Sequence, residues 1–217
     1  IMTVGYPILL DISEKSCVVV GGGTIATRKV HGLLEAGAEI IVISPEVTNE
    51  LRAYADNRRI RWIAENYRHG ALAQYRPALV FATTNSAEVN QQVADEAKSV
   101  SAWINMADDN HEGDFSNMPS IRRPPITISV SSSGSSPALS KHLISIIEQV
   151  IGDEYATLAQ WLGDIREHVK ANVPTQTQRH ALYQHIIDSD ILAQLRNNEV
   201  DSAYAHFQNL IREAVQA

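Results

Sequence analysis

Three glycines link a short apolar strand directly to a helix in Cys17-Val-Val-Val-Gly-Gly-Gly-Thr-Ile-Ala26. Counted from Gly21 the spacing is G-x-G-x-x-A, with Gly21, Gly23 and Ala26 in the three key places. A glycine at the first allows a tight turn off the strand. At the second it lets backbone approach a pyrophosphate, and a small third residue lets helix and strand pack closely. The N–H groups of Gly22, Gly23, Thr24 and Ile25, with the positive end of the helix dipole, suit phosphate oxygens. Dinucleotide binding is the chemistry this implies; a plain packing turn is the competing reading. The surroundings favour binding, because three valines precede the turn and a helix follows it. That helix carries Val30, Leu33 and Leu34 on one face and closes at Gly37.

Further polar groups stand where other strands end. The dinucleotide fingerprint expects an acid after the second strand for the ribose hydroxyls, and this chain offers Ser44, Pro45 and Glu46 there. Three readings are open: Glu46 is a displaced ribose acid, Ser44 and backbone do that work instead, or Glu46 is simply a first-turn helix acid favoured by the dipole. No arginine adjoins it to hold a 2′-phosphate, which favours NAD over NADP. After the fifth strand come Asn105, Asp108, Asp109, His111, Glu112 and Asp114. Three readings stay open: carboxylates and imidazole ligating a metal, one carboxylate acting as a general base, or a solvated acidic loop.

The elements that must carry these groups alternate. Strands are expected at 16–20, 39–43, 60–63, 78–82 and 102–105, with helices from Thr24, over 46–56 and over 86–98. Such alternation implies right-handed crossovers and a parallel sheet, an α/β Rossmann-type fold. Ligands bind at the carboxyl ends of such strands, so the loops at 21–23, 44–46, 83–85 and 105–109 should line one crevice. The expected cofactor-binding residues are therefore Gly21, Gly22, Gly23, Thr24, Ile25, Ser44, Pro45, Glu46, Thr83, Thr84, Asn85 and Asn105.

Near residue 110 the pattern changes. Residues 126–131 alternate with period two, as a half-exposed strand does. Ser136 then reads as an N-cap with Pro137 at the first helical position. The helix that follows carries Leu139, Leu143, Ile146, Ile147 and Val150 on one stripe. From Asp153 the chain reads as helical, with Leu158, Trp161, Leu162 and Ile165 on one face and Ala203, Phe207, Leu210 and Ala214 on another, separated by Pro174. A tail of this size is not expected to hold a large core of its own, so it should pack on the first domain, a second subunit or both.

The 217 residues carry a formal net charge of −7, which argues against a general nucleic-acid binder. Cys17 is the single cysteine, so no disulfide can form within the chain. No apolar run reaches the ~18 residues of a membrane span, and no signal peptide is visible. The expected setting is cytoplasmic. Ile1 ahead of Met2 reads as an added residue or an incomplete start.

The chain resembles the precorrin-2 dehydrogenase / sirohydrochlorin ferrochelatase family, the module that forms the N-terminal part of siroheme synthases. The resemblance rests on Tyr6-Pro-Ile-Leu-Leu10, Val20-Gly-Gly-Gly-Thr-Ile-Ala-Thr-Arg-Lys29, Ala82-Thr-Thr-Asn85 and Asn105-Met-Ala-Asp108. It continues in Phe115, Met118-Pro-Ser120 and Ser131-Ser-Ser-Gly-Ser-Ser-Pro-Ala138, all in family order and near-family spacing from about residue 6 to 150. The tail matches only in length and character.

The resemblance implies an NAD-binding Rossmann domain over 1–114, a small dimerisation region over 115–151 and a C-terminal helical domain over 152–217, in a homodimer. It implies NAD-dependent oxidation of precorrin-2 to sirohydrochlorin in siroheme biosynthesis. The alternative is a bifunctional enzyme that also inserts Fe²⁺, then a second substrate, into sirohydrochlorin. The family's catalytic aspartate falls on Asp108; Asp109, His111, Glu112 and Asp114 gain no role, and no resident metal site is expected. Nucleic-acid and membrane partners are not expected either. Precorrin-2 carries eight carboxylates, for which Arg122, Arg123 and the serine–glycine turn with Ser132 are the expected contacts. An exposed hairpin end is the competing reading of the arginine pair. Many family members read S-S-G-G where this chain has Ser131-Ser132-Ser133-Gly134. A positive φ at Ser133 would cost about 1 kcal/mol. No methyltransferase module follows the tail, so this chain is not expected to make precorrin-2 itself.

Overall fold

The computed structural model describes residues 5–107 and 113–216, and the chain divides into two compact units at Asn117/Met118. The first unit is a five-stranded sheet of β1 (Ser16–Val20), β2 (Glu39–Ile43), β3 (Arg61–Ile63), β4 (Leu79–Ala82) and β5 (Trp103–Met106). Every pairing is parallel and the order is β3-β2-β1-β4-β5. Helices α1 (Thr24–Glu35), α2 (Asn49–Asp56) and α3 (Ala87–Ser99) supply the crossovers.

Both faces of this sheet are covered, which is why its strands read as apolar runs rather than alternations. Cys17, Val19, Val42 and Phe81 pack with Val30 and Leu33 of α1 and Leu51 of α2. Val18, Val20, Ile41 and Val80 face the other way, with Val93, Ala94 and Ala97 of α3. Each large apolar side chain so buried contributes about 1.5–3 kcal/mol. Cys17 is fully buried, and burial pushes its thiol up to about 11, the behaviour of a small hydrophobe rather than a nucleophile. Helix α1 ends as its sequence implied: Gly37 has φ 73° and the amides of Gly37 and Ala38 return to Leu34 and Leu33.

Two expectations are corrected. The second helix begins at Asn49, not at residue 46, because the Thr48 hydroxyl caps it by accepting from Leu51 N at 3.3 Å. The Ser44 hydroxyl meanwhile donates to the Glu46 carbonyl at 2.7 Å and holds 44–46 as a turn. Glu50, not Glu46, is thus the acid in the first helical turn. This turn closes tightly on the glycines. A Cβ at Gly22 would overlap the Glu46 carbonyl oxygen and crowd the Ser44 hydroxyl, and Thr48 N donates to Gly22 O at 3.0 Å. Gly22→Ala is therefore expected to lower stability by about 1–3 kcal/mol in chemical denaturation, and an unchanged midpoint would contradict this packing.

The second unit opens with a hairpin of β6 (Ser120–Arg123) and β7 (Ile126–Ser129), antiparallel and joined through Pro124-Pro125. Six helices follow: α4 (Pro137–Val150), α5 (Asp153–Asp164), α6 (Arg166–Asn172), α7 (Gln176–Asp188), α8 (Ile191–Arg196) and α9 (Val200–Gln216). Here lies the second correction. The tail has its own core, in which Leu158, Val169, Ile186, Ile191, Ala203 and Phe207 are all buried. Trp161 packs beside it, edge-on to Tyr204 and tilted against Phe207. All five helices from α5 to α9 contribute to this core, more than the two stripes visible in the sequence. Helix α4 differs. Leu139, Leu143, Ile146 and Val150 are 49, 39, 45 and 58% exposed, so its apolar stripe is uncovered.

Candidate functional site

The carboxyl end of β1 meets the glycines in the geometry a phosphate cradle needs. Gly21 takes φ 119°, and a Cβ there would lie 2.6 Å from Thr83 Oγ1, so both conformation and space require glycine. Its N–H donates to Ile43 O at 3.0 Å, which brings the end of β2 beside the turn. Gly23 is different: a Cβ there would meet nothing within 4 Å. It is the N-cap of α1 in extended backbone, with no side-chain cap. The helix thus starts with unsatisfied amides at Thr24 and Ile25 next to open space, the arrangement that receives a pyrophosphate. These residues fit a dinucleotide.

The loop after β4 forms the opposite wall. Thr83 is buried, and its hydroxyl donates to Val20 O at 2.9 Å. Thr84 N and Oγ1 both donate to Asn90 Oδ1, and Asn90 Nδ2 donates back to Thr84 O at 3.0 Å. Asn90, buried on α3, thereby fixes the backbone before the exposed Asn85. Sequence reading missed it; a polar residue on the buried stripe of α3 was the available signal. The loop after β2 places Ser44 in the protein and Glu46 in solvent, and Trp62 Nε1 donates to Ser44 O at 2.9 Å. At the carboxyl ends of β2 and β3 lies an open recess of about 150 Å³, whose lining includes Ile43, Ile63, Asn66, Gln74 and Tyr75.

Asn105, on β5, is 2% exposed. Its Nδ2 donates to Phe115 O at 2.8 Å, while its Oδ1 has no partner among the described residues. Across the β4–β5 ladder it pairs with Phe81. The backbone of Asp114 returns to Ile104, which its carboxylate also engages through Ile104 N at 2.9 Å. Asp114 is thus committed to structure. Asp108, Asp109, His111 and Glu112 lie outside the described residues, whose flanks, Ala107 and Asp114, are tied to Ala82 and Ile104.

Lys29 stands beside this group. Its Nζ donates to Asn117 Oδ1 at 2.6 Å and lies 5.5 Å from the Phe81 ring centre, while Phe81 meets Phe115 edge-on. Burial, reinforced by repulsion from Arg28, pulls its amine down to about 8. Sequence reading assigned Lys29 no role, because Phe81 and Asn117 lie far along the chain.

In the second unit, the Ser132 hydroxyl donates to Ser136 O at 3.0 Å and accepts from Ser136 N and the Ser140 hydroxyl. It organises the start of α4, where Ser136 caps Leu139 N as expected. Ser133 does take a positive φ, 50°. On β6, Arg122 is exposed, whereas Arg123 donates to Ile151 O at 2.8 Å and to Asp153 at 3.0 Å. Among the described residues no cluster of three or more His, Cys, Asp or Glu side chains is gathered that could hold a metal ion, and no helix is long and apolar enough to cross a membrane.

Residues 8–119 match the family model NAD_binding_7, "Putative NAD(P)-binding", and 154–211 match CysG_dimeriser, "Sirohaem synthase dimerisation region". A siroheme synthase of Mannheimia succiniciproducens is 33% identical over 91% of this chain and 41% of its own length. One of Nitrosospira multiformis is 35% identical over 83% of this chain and 39% of its own length. The chain spans about two-fifths of the length of these curated relatives. Among solved structures, SirC, described as a precorrin-2 dehydrogenase, superposes with a TM-score of 0.78 at 25% identity, covering 96% of this chain and all of that one. With a putative NAD(P)-binding model matched in its first unit and a sirohaem synthase dimerisation model in its second, the chain belongs to the precorrin-2 dehydrogenase / sirohydrochlorin ferrochelatase family, the N-terminal module of siroheme synthases.

Proposed function

We propose that this protein oxidises precorrin-2 to sirohydrochlorin in siroheme biosynthesis, with NAD⁺ as the acceptor. The observation that carries the reading is the open face of Gly23 at the uncapped start of α1, flanked by the ends of β2 and β4. Gly22, Gly23, Thr24 and Ile25 hold the pyrophosphate through backbone amides. Ser44, Pro45 and Glu46 border the adenosine ribose, where the exposed Glu46 carboxylate accepts from hydroxyls and repels a 2′-phosphate, favouring NAD over NADP. The recess beside Tyr75 is suited in size and lining to the adenine ring. Thr83, Thr84 and Asn85 wall the middle of the cofactor. The unpartnered Asn105 Oδ1 suits the donor of the nicotinamide carboxamide.

When bound, the nicotinamide ring accepts two electrons as hydride. The carboxylate of Asp108 takes the proton that leaves with them, so the macrocycle loses two hydrogens in all. On the second unit, Arg122 and Ser132 are proposed as contacts for the carboxylate rim. Arg123, held by Ile151 and Asp153, contributes chiefly by fixing β6. Dimerisation through 115–151 would cover the apolar stripe of α4, and the helical part 152–217 adds to it. A cytoplasmic setting accords with this chemistry.

The test is an anaerobic assay of purified protein with precorrin-2 and NAD⁺ or NADP⁺, following sirohydrochlorin absorbance. NAD⁺-dependent formation, slower with NADP⁺, is expected. Iron-dependent loss of the sirohydrochlorin spectrum above the no-enzyme rate would add the ferrochelatase activity. No turnover from folded protein that binds NAD⁺ would overturn the reading.

A further inference from the structure

Lys29 is half-buried, and among the described residues no carboxylate faces it. The neighbouring charge that acts on it is Arg28 on the same helix, which repels it; Asp114, on the segment that carries Phe115 and Asn117, is bound to Ile104 N. One of its three N–H donors goes to the neutral Asn117, and the Phe81 face offers only a weak attraction at 5.5 Å. A tie between α1 and the 113–117 segment would be made as well by an uncharged side chain, without the cost of desolvating an ammonium. Among the described residues nothing requires this charge. Asn105, which pairs with Phe81 on the same face of the sheet, holds an unmet polar atom in its Oδ1. A cation with spare donors and an unpartnered acceptor thus border one aromatic side chain near the carboxyl ends of β4 and β5, where ligands of such sheets bind.

We propose that Lys29 is a substrate-binding cation that receives one carboxylate of the tetrapyrrole, beside the position where Asn105 engages the cofactor. This rests on the precorrin-2 reading for the identity of the ligand. A carboxylate restores the missing counter-charge through a charge-assisted hydrogen bond. The depressed amine gives this contact a signature that a structural tie lacks. Below pH about 8 the free protein carries the charge; above it the amine is neutral and must take up a proton when the carboxylate binds. Affinity should then fall by up to about tenfold per pH unit above that value.

The experiment measures equilibrium binding of sirohydrochlorin, the carboxylate-bearing product, to the full chain at pH 7 and pH 9, together with KM for precorrin-2 and for NAD⁺. The wild type should bind more weakly at pH 9. Lys29→Met should weaken tetrapyrrole binding at pH 7 by at least about tenfold, lose the pH dependence and leave KM for NAD⁺ within twofold. Lys29→Arg, charged throughout this range, should restore part of the affinity and show no loss at pH 9. Folded Lys29→Met protein that binds sirohydrochlorin within twofold of wild type at pH 7 would overturn the proposal while turnover continued. Absent turnover with pH-dependent binding would instead overturn the dehydrogenase reading alone. Should Lys29→Met fail to fold, pH-independent affinity in the wild type and in Lys29→Arg would overturn the proposal equally.

Discussion

Gly23→Asp is expected to remove dinucleotide binding while leaving the fold as stable as before, or slightly more so. The two effects separate because Gly23 serves the protein and the ligand on different sides. Toward the protein it is the N-cap of α1, in extended backbone open to any residue, and a Cβ there meets no atom within 4 Å. Aspartate is among the best N-caps, and in place of glycine it adds a few tenths of a kcal/mol. Toward the ligand, the new carboxylate stands where pyrophosphate oxygens approach the amides of Thr24 and Ile25. Like charges about 4 Å apart repel by about 4 kcal/mol at an effective dielectric constant near 20, before any steric conflict is counted. The dissociation constant for NADH, read by fluorescence titration, should rise at least about 100-fold. The melting temperature of the ligand-free protein should hold or rise. An affinity within threefold of wild type would remove the glycine turn from the cofactor site. Gly22→Ala differs in that it lowers stability, because its Cβ meets the Glu46 carbonyl.

What the sequence revealed follows from the range of the interactions involved. The glycine turn, the five strands and the Ser136 cap depend on neighbours within a few residues, and each stands as expected. The positive φ that the sequence raised as a condition at Ser133 is present, at 50°. The start of α2 was misread because it depends on a choice between two caps. Only the closure of Ser44 onto Glu46, with Thr48 bound back to Gly22, decides between residue 46 and Asn49. The core of the tail was missed for a related reason. Leu182 and Ile186 of α7 form no broad stripe, yet they join α5, α8 and α9 around Phe207. Lys29 was the least legible residue, as its environment is built from Phe81, Phe115 and Asn117, the last 88 positions away. A lysine without a carboxylate is visible only when its surroundings are.

Asp108→Asn is expected to lower kcat for precorrin-2 oxidation by about 100-fold or more, with KM for NAD⁺ changed less than twofold. Asparagine keeps the size and the hydrogen-bonding reach of aspartate but cannot take a proton, and general-base catalysis contributes typically 10²–10⁴-fold. Asp108 itself lies outside the described residues, so its role rests on the family resemblance and on what holds its surroundings. Ala107 N donates to Ala82 O and extends the β4–β5 ladder one residue past the strand. On the far side, Asp114 N donates to Ile104 O, and a Cβ on Gly113 would stand only 3.1 Å from that carbonyl and 3.2 Å from Met106 N. The chain therefore leaves and rejoins the carboxyl end of β5 at one place, beside Asn105. Asp108 belongs to the segment between these two anchors, and on the family resemblance its carboxylate is proposed as the base, a role for which no acid of the described residues is left free at this end of the sheet. Asp114 is bound to Ile104 N, and the exposed Glu46 follows β2 and is proposed for the adenosine end. Steady-state rates at saturating NAD⁺ decide the matter. A loss below tenfold in Asp108→Asn would leave proton removal to solvent or to the substrate's own carboxylates. A full loss there, with Lys29→Met changing chiefly KM, would separate the group that moves the proton from the group that holds the macrocycle.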